Sequence, residues 1–412
     1  MQTKLVGWIR DTPAGQEAEA ILRACVHCGF CGATCPTYQL LGDELDSPRG
    51  RIYQIKEVLE GRPATRITQL HLDRCLRCLS CETTCPSGVR YGRLLEIGRE
   101  VVEEQVARPV PERLARAMLR EGVSRRPLFA AAVAIGRLLR PLLPAQLRAR
   151  IAPRRAPGPA PAARHRRQVI LLTSCSQDAL LPAVDRAAAR VLDRLGVSVI
   201  VAAEAGCCGA LRAHLSDEVG GRDAARRNVD AWWPHLEAGA EALVMTASAC
   251  GLRVKDYGRL LAGDPAYAER AARIGALTQD LSQWLGAQWS RMPLPERRGT
   301  TVRIAFHSPC SLQHGQQLRG GIETLLASLG AELIWVRDAH LCCGSAGSYS
   351  LLQPALSTQL RSRKLEALQA DGPALILSAN VGCLAHLEPA AAVPVRHWIE
   401  WVDERLAAVQ TP

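Results

Sequence analysis

Apolar residues recur with two different periods along this 412-residue chain. Between residues 52 and 60 they follow a helical spacing, and Ser47, Pro48 and Gly61 provide the start and stop signals of one helix. A second helical stretch is predicted from residue 86 to residue 107, and a third, basic stretch has apolar residues at helical spacing from Leu128 to Leu142. The N-terminal part of the chain is therefore predicted to be α-helical.

The pattern changes after residue 168, where short apolar runs alternate with helical stretches. The predicted strands are 169–174, 197–202, 242–247, 302–306, 333–336 and 374–378, and the predicted helices between them include 180–195 and 322–329. Strands that alternate with helices predict parallel α/β packing. Residues 152–168 are rich in alanine, proline and arginine, and we interpret them as a linker.

Cysteine spacing indicates that the α/β part is duplicated. Each copy has one cysteine, then 31 intervening residues, then an adjacent pair, then one more cysteine: Cys175, Cys207, Cys208 and Cys250 in the first copy, and Cys310, Cys342, Cys343 and Cys383 in the second. The offset between copies is 135 residues at three positions and 133 at the fourth. Such a repeat predicts two copies of one domain. The cysteines follow predicted strands, at the sheet edge where open α/β folds place their sites.

A different cysteine pattern occurs twice in the first ninety residues. Each copy reads Cys-x2-Cys-x2-Cys-x3-Cys-Pro, and this is the run with which bacterial ferredoxins hold [4Fe–4S] clusters. In two-cluster ferredoxins the fourth cysteine of each run binds the other cluster. The predicted ligands are therefore Cys25, Cys28, Cys31 and Cys85 for the first cluster, and Cys35, Cys75, Cys78 and Cys81 for the second.

Two other uses of these eight cysteines fit the spacing less well. Structural zinc sites usually pair two C-x2-4-C elements across a longer gap. A disulfide framework needs an oxidising compartment. Residues 1–20 contain five charged side chains and no apolar signal-peptide core, so we expect a reducing, cytoplasmic location.

Charge and composition narrow the possible partners. The formal net charge of +11 is carried almost wholly by arginine, and two oxidised clusters with their thiolates lower it by about 4. Aromatic residues make up only 4% of the chain and no nucleic-acid-binding module is present, so we expect no nucleic-acid partner. The basic stretch 128–142 predicts either a helix on a membrane surface or one packed on a neighbouring domain. Its arginines exclude a transmembrane span.

The duplicated part resembles the cysteine-rich CCG family, which occurs in heterodisulfide reductase, anaerobic glycerol-3-phosphate dehydrogenase, lactate-utilisation proteins and the glycolate oxidase iron–sulfur subunit. The matching motifs are Cys175, Gly206-Cys207-Cys208-Gly209 and Cys250-Gly251, then His307-Ser308-Pro309-Cys310, Cys342-Cys343-Gly344-Ser345-Ala346-Gly347 and Gly382-Cys383. In the fullest family pattern the last cysteine belongs to a C-x-x-C pair. Arg253 and His386 stand at that second position here, so the chain departs from the five-thiolate pattern.

The resemblance implies a metal centre in one or both copies, either iron–sulfur or zinc. The candidate ligands are Cys310, Cys342, Cys343 and Cys383 in the second copy, which has the fuller glycine-rich loop, and Cys175, Cys207, Cys208 and Cys250 in the first. Any of His307, His340 and His386 could contribute a further ligand. The alternative is that these thiols pack as small apolar side chains without metal.

The 39 residues between the two ferredoxin runs make the N-terminal part similar to the α-helical ferredoxin domain of succinate dehydrogenase and fumarate reductase. Taken together, the expected fold is a multidomain α+β chain. An N-terminal α-helical ferredoxin domain (1–107) and a basic helical segment with its linker (108–168) precede two duplicated α/β cysteine-rich (CCG) domains (169–298 and 299–412).

Nearly the whole chain resembles the glycolate oxidase iron–sulfur subunit family. No dinucleotide, P-loop or H-E-x-x-H motif is present, so no substrate-oxidising site is expected on this chain. The resemblance implies an electron-transfer subunit of a glycolate (2-hydroxyacid) oxidase complex, peripheral on the inner face of the membrane. Its partners would be FAD-binding dehydrogenase subunits and a quinone or another membrane acceptor. The alternatives are a disulfide- or quinone-reducing subunit of the heterodisulfide reductase or glycerol-3-phosphate dehydrogenase type, and a redox sensor or scaffold.

Overall fold

The computed structural model describes residues 1–142, 156–294 and 300–407. Its N-terminal region is helical, as the periodicity predicts. The helices are Gly7–Arg10, Pro13–Ala24, Phe30–Ala33, Pro36–Leu41, Pro48–Leu59, Arg66–Asp73, Ser80–Thr84 and Tyr91–Gln105, with a 3-10 turn at Glu44–Asp46. Their apolar faces form one core, in which Leu22, Ile55 and Leu94 are fully buried.

The start of the helix Pro48–Leu59 follows from its sequence signals. The Ser47 hydroxyl accepts a hydrogen bond from the Gly50 amide, and Pro48 occupies the first turn. The predicted helix 86–107 instead begins at Tyr91. Gly88, with φ of 64°, takes the left-handed conformation and turns the chain before that helix begins.

The basic segment forms two helices, Val110–Ser124 and Arg126–Leu139, followed by a 3-10 turn at Arg140–Leu142. Neither helix contains a buried residue. The second is held to the neighbouring α/β domain by Arg126, which donates to Thr173 Oγ1 over 2.6 Å, and by Arg137, which donates to the Ala179 carbonyl over 3.0 Å. None of the helices in the described part of the chain combines the length and the apolar character that a membrane span needs.

Two predictions fall partly or wholly outside the described residues. The predicted linker 152–168 is described only from residue 156, and there it has neither helix nor strand until β1 begins at Arg167. The boundary predicted between residues 298 and 299 lies in the segment 295–299, which is not described.

The rest of the chain forms two four-stranded parallel sheets with the same strand order. The first, in the order β2-β1-β3-β4, consists of β1 (Arg167–Leu172), β2 (Val197–Ile200), β3 (Leu243–Met245) and β4 (Thr278–Asp280). The second, in the order β6-β5-β7-β8, consists of β5 (Val302–His307), β6 (Ala331–Leu333), β7 (Leu375–Ser378) and β8 (Val395–His397). The shared order agrees with the duplication read from the cysteines.

Helices connect the strands on both sides of each sheet. They are Gln177–Leu180, Pro182–Arg194, Ala210–His214, Glu218–Glu237, Ser248–Lys255, Tyr257–Leu260, Ala268–Leu277 and Leu281–Gln288 in the first copy, and Gly321–Ser328, Tyr349–Leu352, Pro354–Gln369, Val381–Leu387 and Trp398–Ala407 in the second. Shorter turns lie at Trp289–Arg291, Ser311–Gly315 and Glu388–Ala390. The helices predicted at 180–195 and 322–329 correspond to Pro182–Arg194 and Gly321–Ser328.

Six of the eight observed strands were predicted, namely the first three of each sheet. β4 and β8 were missed, because each has only three residues and neither forms an apolar run: β4 is Thr-Gln-Asp and β8 is Val-Arg-His. β6 lies at Ala331–Leu333 rather than at 333–336, so that prediction was two residues late at its start. The other five predicted strands overlap the observed ones.

The two sheets are parts of one packed unit. A single apolar core includes Val169 from the first sheet and Ile304 from the second. Arg190 and Asp403 form an ion pair of 2.7 Å between the copies, and His397 Nε2 lies 3.0 Å from the Thr246 carbonyl. The order 2-1-3-4 places the switch between β1 and β3, and the order 6-5-7-8 places it between β5 and β7. Open α/β sheets bind ligands outside the carboxyl ends of such a strand pair.

Candidate metal centres

The four predicted ligands of the first cluster line one pocket. Cys25, Cys28, Cys31 and Cys85 all border it, together with Cys81 from the second run. Cys85 is thus brought to the first run by the fold, as crossed ligation requires. Cys28 is exposed, alone among the sixteen cysteines of the chain.

Both ferredoxin runs bend in the same way. The second and fourth residues after the first cysteine take the left-handed conformation in each run: His27 and Gly29 in the first, Arg77 and Leu79 in the second. Only one of these four residues is glycine, so three side chains accept a conformation that is uncommon outside glycine. The two runs therefore share the same backbone turn between their first and third cysteines.

The fold also brings Cys35 to the second run. The charge of Cys35 acts on both Cys78 and Cys81, as does that of Cys75. Burial raises the pKa of Cys78 and of Cys81 well above the ordinary value, so thiolates at these positions require a bound metal. The residues therefore fit a cluster, and the assignment of each cysteine to one of two clusters stays a prediction.

A buried arginine adjoins the second cluster site. Arg51 is 1% exposed and donates from Nη2 to Asp46 Oδ1 over 3.0 Å, while its Nη1 lies 4.0 Å from Cys35 Sγ. Burial alone would raise the pKa of Cys75, but the charges of Arg51 and Arg99 outweigh it and lower that pKa. Sequence reasoning missed Arg51. The signal was present, because a helical turn separates Arg51 from Ile55 on the buried face of one helix.

The cysteines of the first α/β copy also meet. Cys175 Sγ lies 3.7 Å from Cys207 Sγ, and Cys250 Sγ lies 3.5 Å from the Ser174 hydroxyl. Hydrogen bonds from Cys175 and Cys208 lower the pKa of Cys207 well below its ordinary value. Arg253, which stands where the fuller family pattern has a cysteine, is buried and lies 3.9 Å from Glu218.

In the second copy a histidine joins the cysteines. The side-chain ligand atoms of His307, Cys343 and Cys383 all lie within 4.8 Å of one another, and all three residues are buried. Cys310 and Cys342 are in mutual contact beside them. His386 instead places its Nε2 3.2 Å from the Ser357 hydroxyl. Of the three candidate histidines, His307 alone falls in this group.

The second α/β copy packs directly on the ferredoxin domain at the second cluster site. Cys78 and Cys310 belong to the same small apolar cluster, which is built around Leu76, Cys342 and Tyr349. Thr83 Oγ1 lies 2.8 Å from His314 Nδ1 and adds a polar contact between the two domains. The second ferredoxin run and the second cysteine-rich site are therefore neighbours.

Two ferredoxin runs in a helical domain, joined to a duplicated parallel α/β domain with four cysteines in each copy, define a class of iron–sulfur proteins with cysteine-rich repeats. The family of 4Fe-4S dicluster domains matches residues 21–89, and the family of cysteine-rich domains matches residues 169–255 and 304–388. The chain is 53% identical over 409 residues to the glycolate oxidase iron-sulfur subunit of Escherichia coli (strain K12), a match that covers 98% of this chain and 99% of that one. It belongs to the glycolate oxidase iron–sulfur subunit family.

More distant relatives agree with this result. A probable glycolate oxidase iron-sulfur subunit of Bacillus subtilis (strain 168) is 30% identical over 90% of this chain and 89% of its own length. Lactate utilization protein A of Shouchella clausii is 26% identical over 53% of this chain and 89% of its own length. A solved structure of a hypothetical protein from Helicobacter pylori matches with a TM-score of 0.57 at 9% identity, covering 97% of this chain and 73% of that one, which shows similarity of fold alone.

Proposed function

We propose that this protein is the iron–sulfur electron-transfer subunit of a glycolate (2-hydroxyacid) oxidase complex. The observation that carries the proposal is the pair of complete ferredoxin runs, brought together by the fold, in a chain that is 53% identical over nearly its whole length to the glycolate oxidase iron-sulfur subunit of E. coli. Electrons would come from an FAD-binding dehydrogenase subunit and pass toward quinone or another membrane acceptor.

The cofactors in this proposal are two [4Fe–4S] clusters. Cys25, Cys28, Cys31 and Cys85 would hold the first, and Cys35, Cys75, Cys78 and Cys81 the second. When bound, each cluster accepts and donates one electron at a time, at a potential set by its surroundings. The chain would consist of four segments. Residues 1–107 would bind the clusters, residues 108–168 would form a connecting helical segment, and residues 169–298 and 299–412 would form the two cysteine-rich domains. The substrate would be oxidised on another polypeptide, which carries the flavin.

The exposure of the two cluster sites suggests where electrons enter. Beside Cys28, the side chains of Val26 and Phe30 are 67% and 61% exposed, so an apolar patch lies at the edge of the first site. Exposed apolar side chains at a functional site favour partner binding. The second site is covered by the second α/β domain at Cys310 and Cys342. We therefore place the flavoprotein at the first cluster and the exit toward the acceptor at the second.

The helices Val110–Ser124 and Arg126–Leu139 are proposed to attach the complex to the inner face of the membrane. Leu128, Ile135 and Leu138 on the second helix are each more than half exposed, although Arg126 and Arg137 hold that helix to the protein. An apolar face flanked by basic residues suits an anionic lipid surface. Flotation with anionic and with neutral vesicles tests this: the protein should float with the anionic ones, and binding to neither would exclude membrane attachment through these helices.

The experiment for the main proposal is anaerobic copurification followed by flavin-dependent reduction. The wild-type chain should contain about eight irons, copurify with an FAD-containing subunit, and become reduced when glycolate is added to the complex. Phe30→Ser should weaken the flavoprotein contact and slow cluster reduction. Leu351→Ser is the matched control, because Leu351 is equally exposed, at 60%, but lies in the second α/β domain. A chain that contains zinc alone, or a complex in which glycolate never reduces the clusters, would refute the proposal.

A further inference from the structure

We propose that His307 is the nitrogen ligand of a single tetrahedral metal ion in the second α/β domain. Cys343 and Cys383 would be two of its thiolate ligands. One of the two neighbouring cysteines, Cys310 or Cys342, would be the fourth ligand. This inference goes beyond the proposed function, which assigns its two clusters to the ferredoxin domain, and it is argued from the geometry of the second set of cysteines. The donor set would be one nitrogen and three sulfur atoms, and the site would hold one ion.

The distances favour one ion over a larger cluster. The three ligand atoms lie within 4.8 Å of one another. Ligands at about 2.0–2.3 Å from one zinc-like ion, set at the tetrahedral angle, are separated by roughly 3.5 Å. The four thiolates of a cubane each bind a different iron and are therefore farther apart. A small inward movement would bring the present side chains onto one ion.

The hydrogen bonds of His307 leave its Nε2 available. Ser378 Oγ donates its single hydrogen to the His307 carbonyl over 3.0 Å, and the same oxygen lies 2.9 Å from His307 Nδ1. Since the serine hydrogen is already used, Nδ1 must carry the proton and donate to Ser378. Nε2 then keeps a free lone pair, and this atom is buried without a hydrogen-bond partner within the described part of the chain. Metal-binding histidines are held in this way by a hydrogen bond at the other ring nitrogen.

Among the described residues of the first α/β domain, no histidine stands at the matching strand position. His307 is the last residue of β5 and pairs in register with Ser378 on β7. The last residue of β1 is Leu172, which pairs with Met245 on β3. The histidine and the serine that orients it are thus both replaced by apolar residues in the other copy. Because the strand pairs occupy the same place in two sheets of the same order, the nitrogen ligand is a property of the second domain alone.

A buried cation balances the charge of this centre. Lys364 is 3% exposed, donates to the Asp338 carbonyl over 2.8 Å, and its charge acts on Cys310, Cys342 and Cys343. Three thiolates around a divalent ion carry one net negative charge, which a single lysine neutralises. Tetrahedral sulfur–nitrogen sites select zinc or ferrous iron among the common divalent ions. Either ion satisfies the proposal.

The test is metal analysis of the full-length chain, purified anaerobically, with X-ray absorption at the edge of the extra metal. Wild type should contain one ion beyond the eight irons of the ferredoxin domain: one zinc, or a ninth iron whose Mössbauer signal differs from that of a cubane. His307→Leu, which introduces the residue found in the first copy, should lose it. His307→Cys should regain it with an all-sulfur shell. Ser378→Ala should bind it about 10- to 100-fold more weakly.

His386→Leu is the matched control, because His386 lies in the same domain but outside the cluster of ligand atoms. It should keep the ion with its nitrogen. The inference is overturned if His307→Leu retains the ion with an unchanged shell, if wild type has no extra ion, or if wild type has the four extra irons of a larger cluster. The eight ferredoxin irons report separately: their absence from wild type refutes the proposed function, whereas their persistence in His307→Leu shows that the variant is folded.

Discussion

Replacing Arg51 by glutamine should lower the reduction potential of the second cluster. Arg51 is a buried cation whose Nη1 lies 4.0 Å from Cys35 Sγ. Reduction adds one negative charge to the cluster, and a nearby positive charge stabilises the reduced form. Without that charge the reduced form is less stable, so the potential becomes more negative.

The magnitude follows from the distance. A unit charge at 4 Å contributes about 4 kcal/mol at an effective dielectric constant of 20. For a one-electron couple this corresponds to about 180 mV, at 59 mV for each factor of ten. That value is an upper bound, because Asp46 lies 3.0 Å from Arg51 and cancels part of its field. The added electron is also spread over the whole cluster. We expect a decrease of about 50–150 mV for Arg51→Gln.

Arg51→Gln should also destabilise the protein, so further variants are needed to separate stability from redox potential. Breaking a buried ion pair costs about 3–5 kcal/mol, since Asp46 would keep its charge with Arg74 as its nearest remaining arginine. Arg51→Lys keeps the positive charge, and the double variant Arg51→Gln with Asp46→Asn removes both charges. The double variant should fold better than Arg51→Gln and show a smaller decrease in potential. Arg303→Gln, at an exposed ion pair with Glu332 in the second α/β domain, is the distant control.

The assay is an anaerobic redox titration followed by electron paramagnetic resonance, with iron content measured on the same samples. The expected order of potentials is wild type and Arg303→Gln highest, the double variant intermediate and Arg51→Gln lowest. The reasoning is refuted if Arg51→Gln, with its full iron content, titrates at the wild-type potential or above it.

Two further predictions follow from the cysteines and from one buried carboxyl. Cys85→Ser should remove the first cluster and Cys35→Ser the second, each with a loss of about four irons and of the magnetic interaction between clusters; loss of the opposite centre would contradict crossed ligation. Burial raises the pKa of Asp185 to about 6, so the folded chain holds a proton that the unfolded chain releases near pH 4. The contribution of Asp185 to the free energy of unfolding should therefore fall by about 3 kcal/mol between pH 4 and pH 6.5. In Asp185→Asn, urea unfolding should lose this decrease; an unchanged pH profile would refute the assignment.

Local signals in the sequence were enough to predict much of the fold. Ser47 and Pro48 predicted where a helix begins, because capping acts over three or four residues. Apolar runs predicted the central strands, which are buried on both faces. The short strands β4 and β8 were missed, since a three-residue edge strand is stabilised by its neighbour in the sheet rather than by its own pattern.

The candidate metal sites were likewise predicted only in part from the sequence. The sequence by itself determined which cysteines belong to each run and that the α/β domain is duplicated, because both are matters of spacing along the chain. It left three histidines open as ligands. The proposal of His307 depends on Ser378, 71 residues away in sequence, whose hydroxyl lies 2.9 Å from His307 Nδ1.

Only the tertiary structure decided which parts meet. It placed Cys85 with the first run and Cys35 with the second, buried Arg51 beside Cys35, and packed the second α/β domain rather than the first on Cys78. These contacts join residues that are tens to hundreds of positions apart in the chain. They depend on how apolar surfaces of whole domains pack, a property that neither spacing nor periodicity contains.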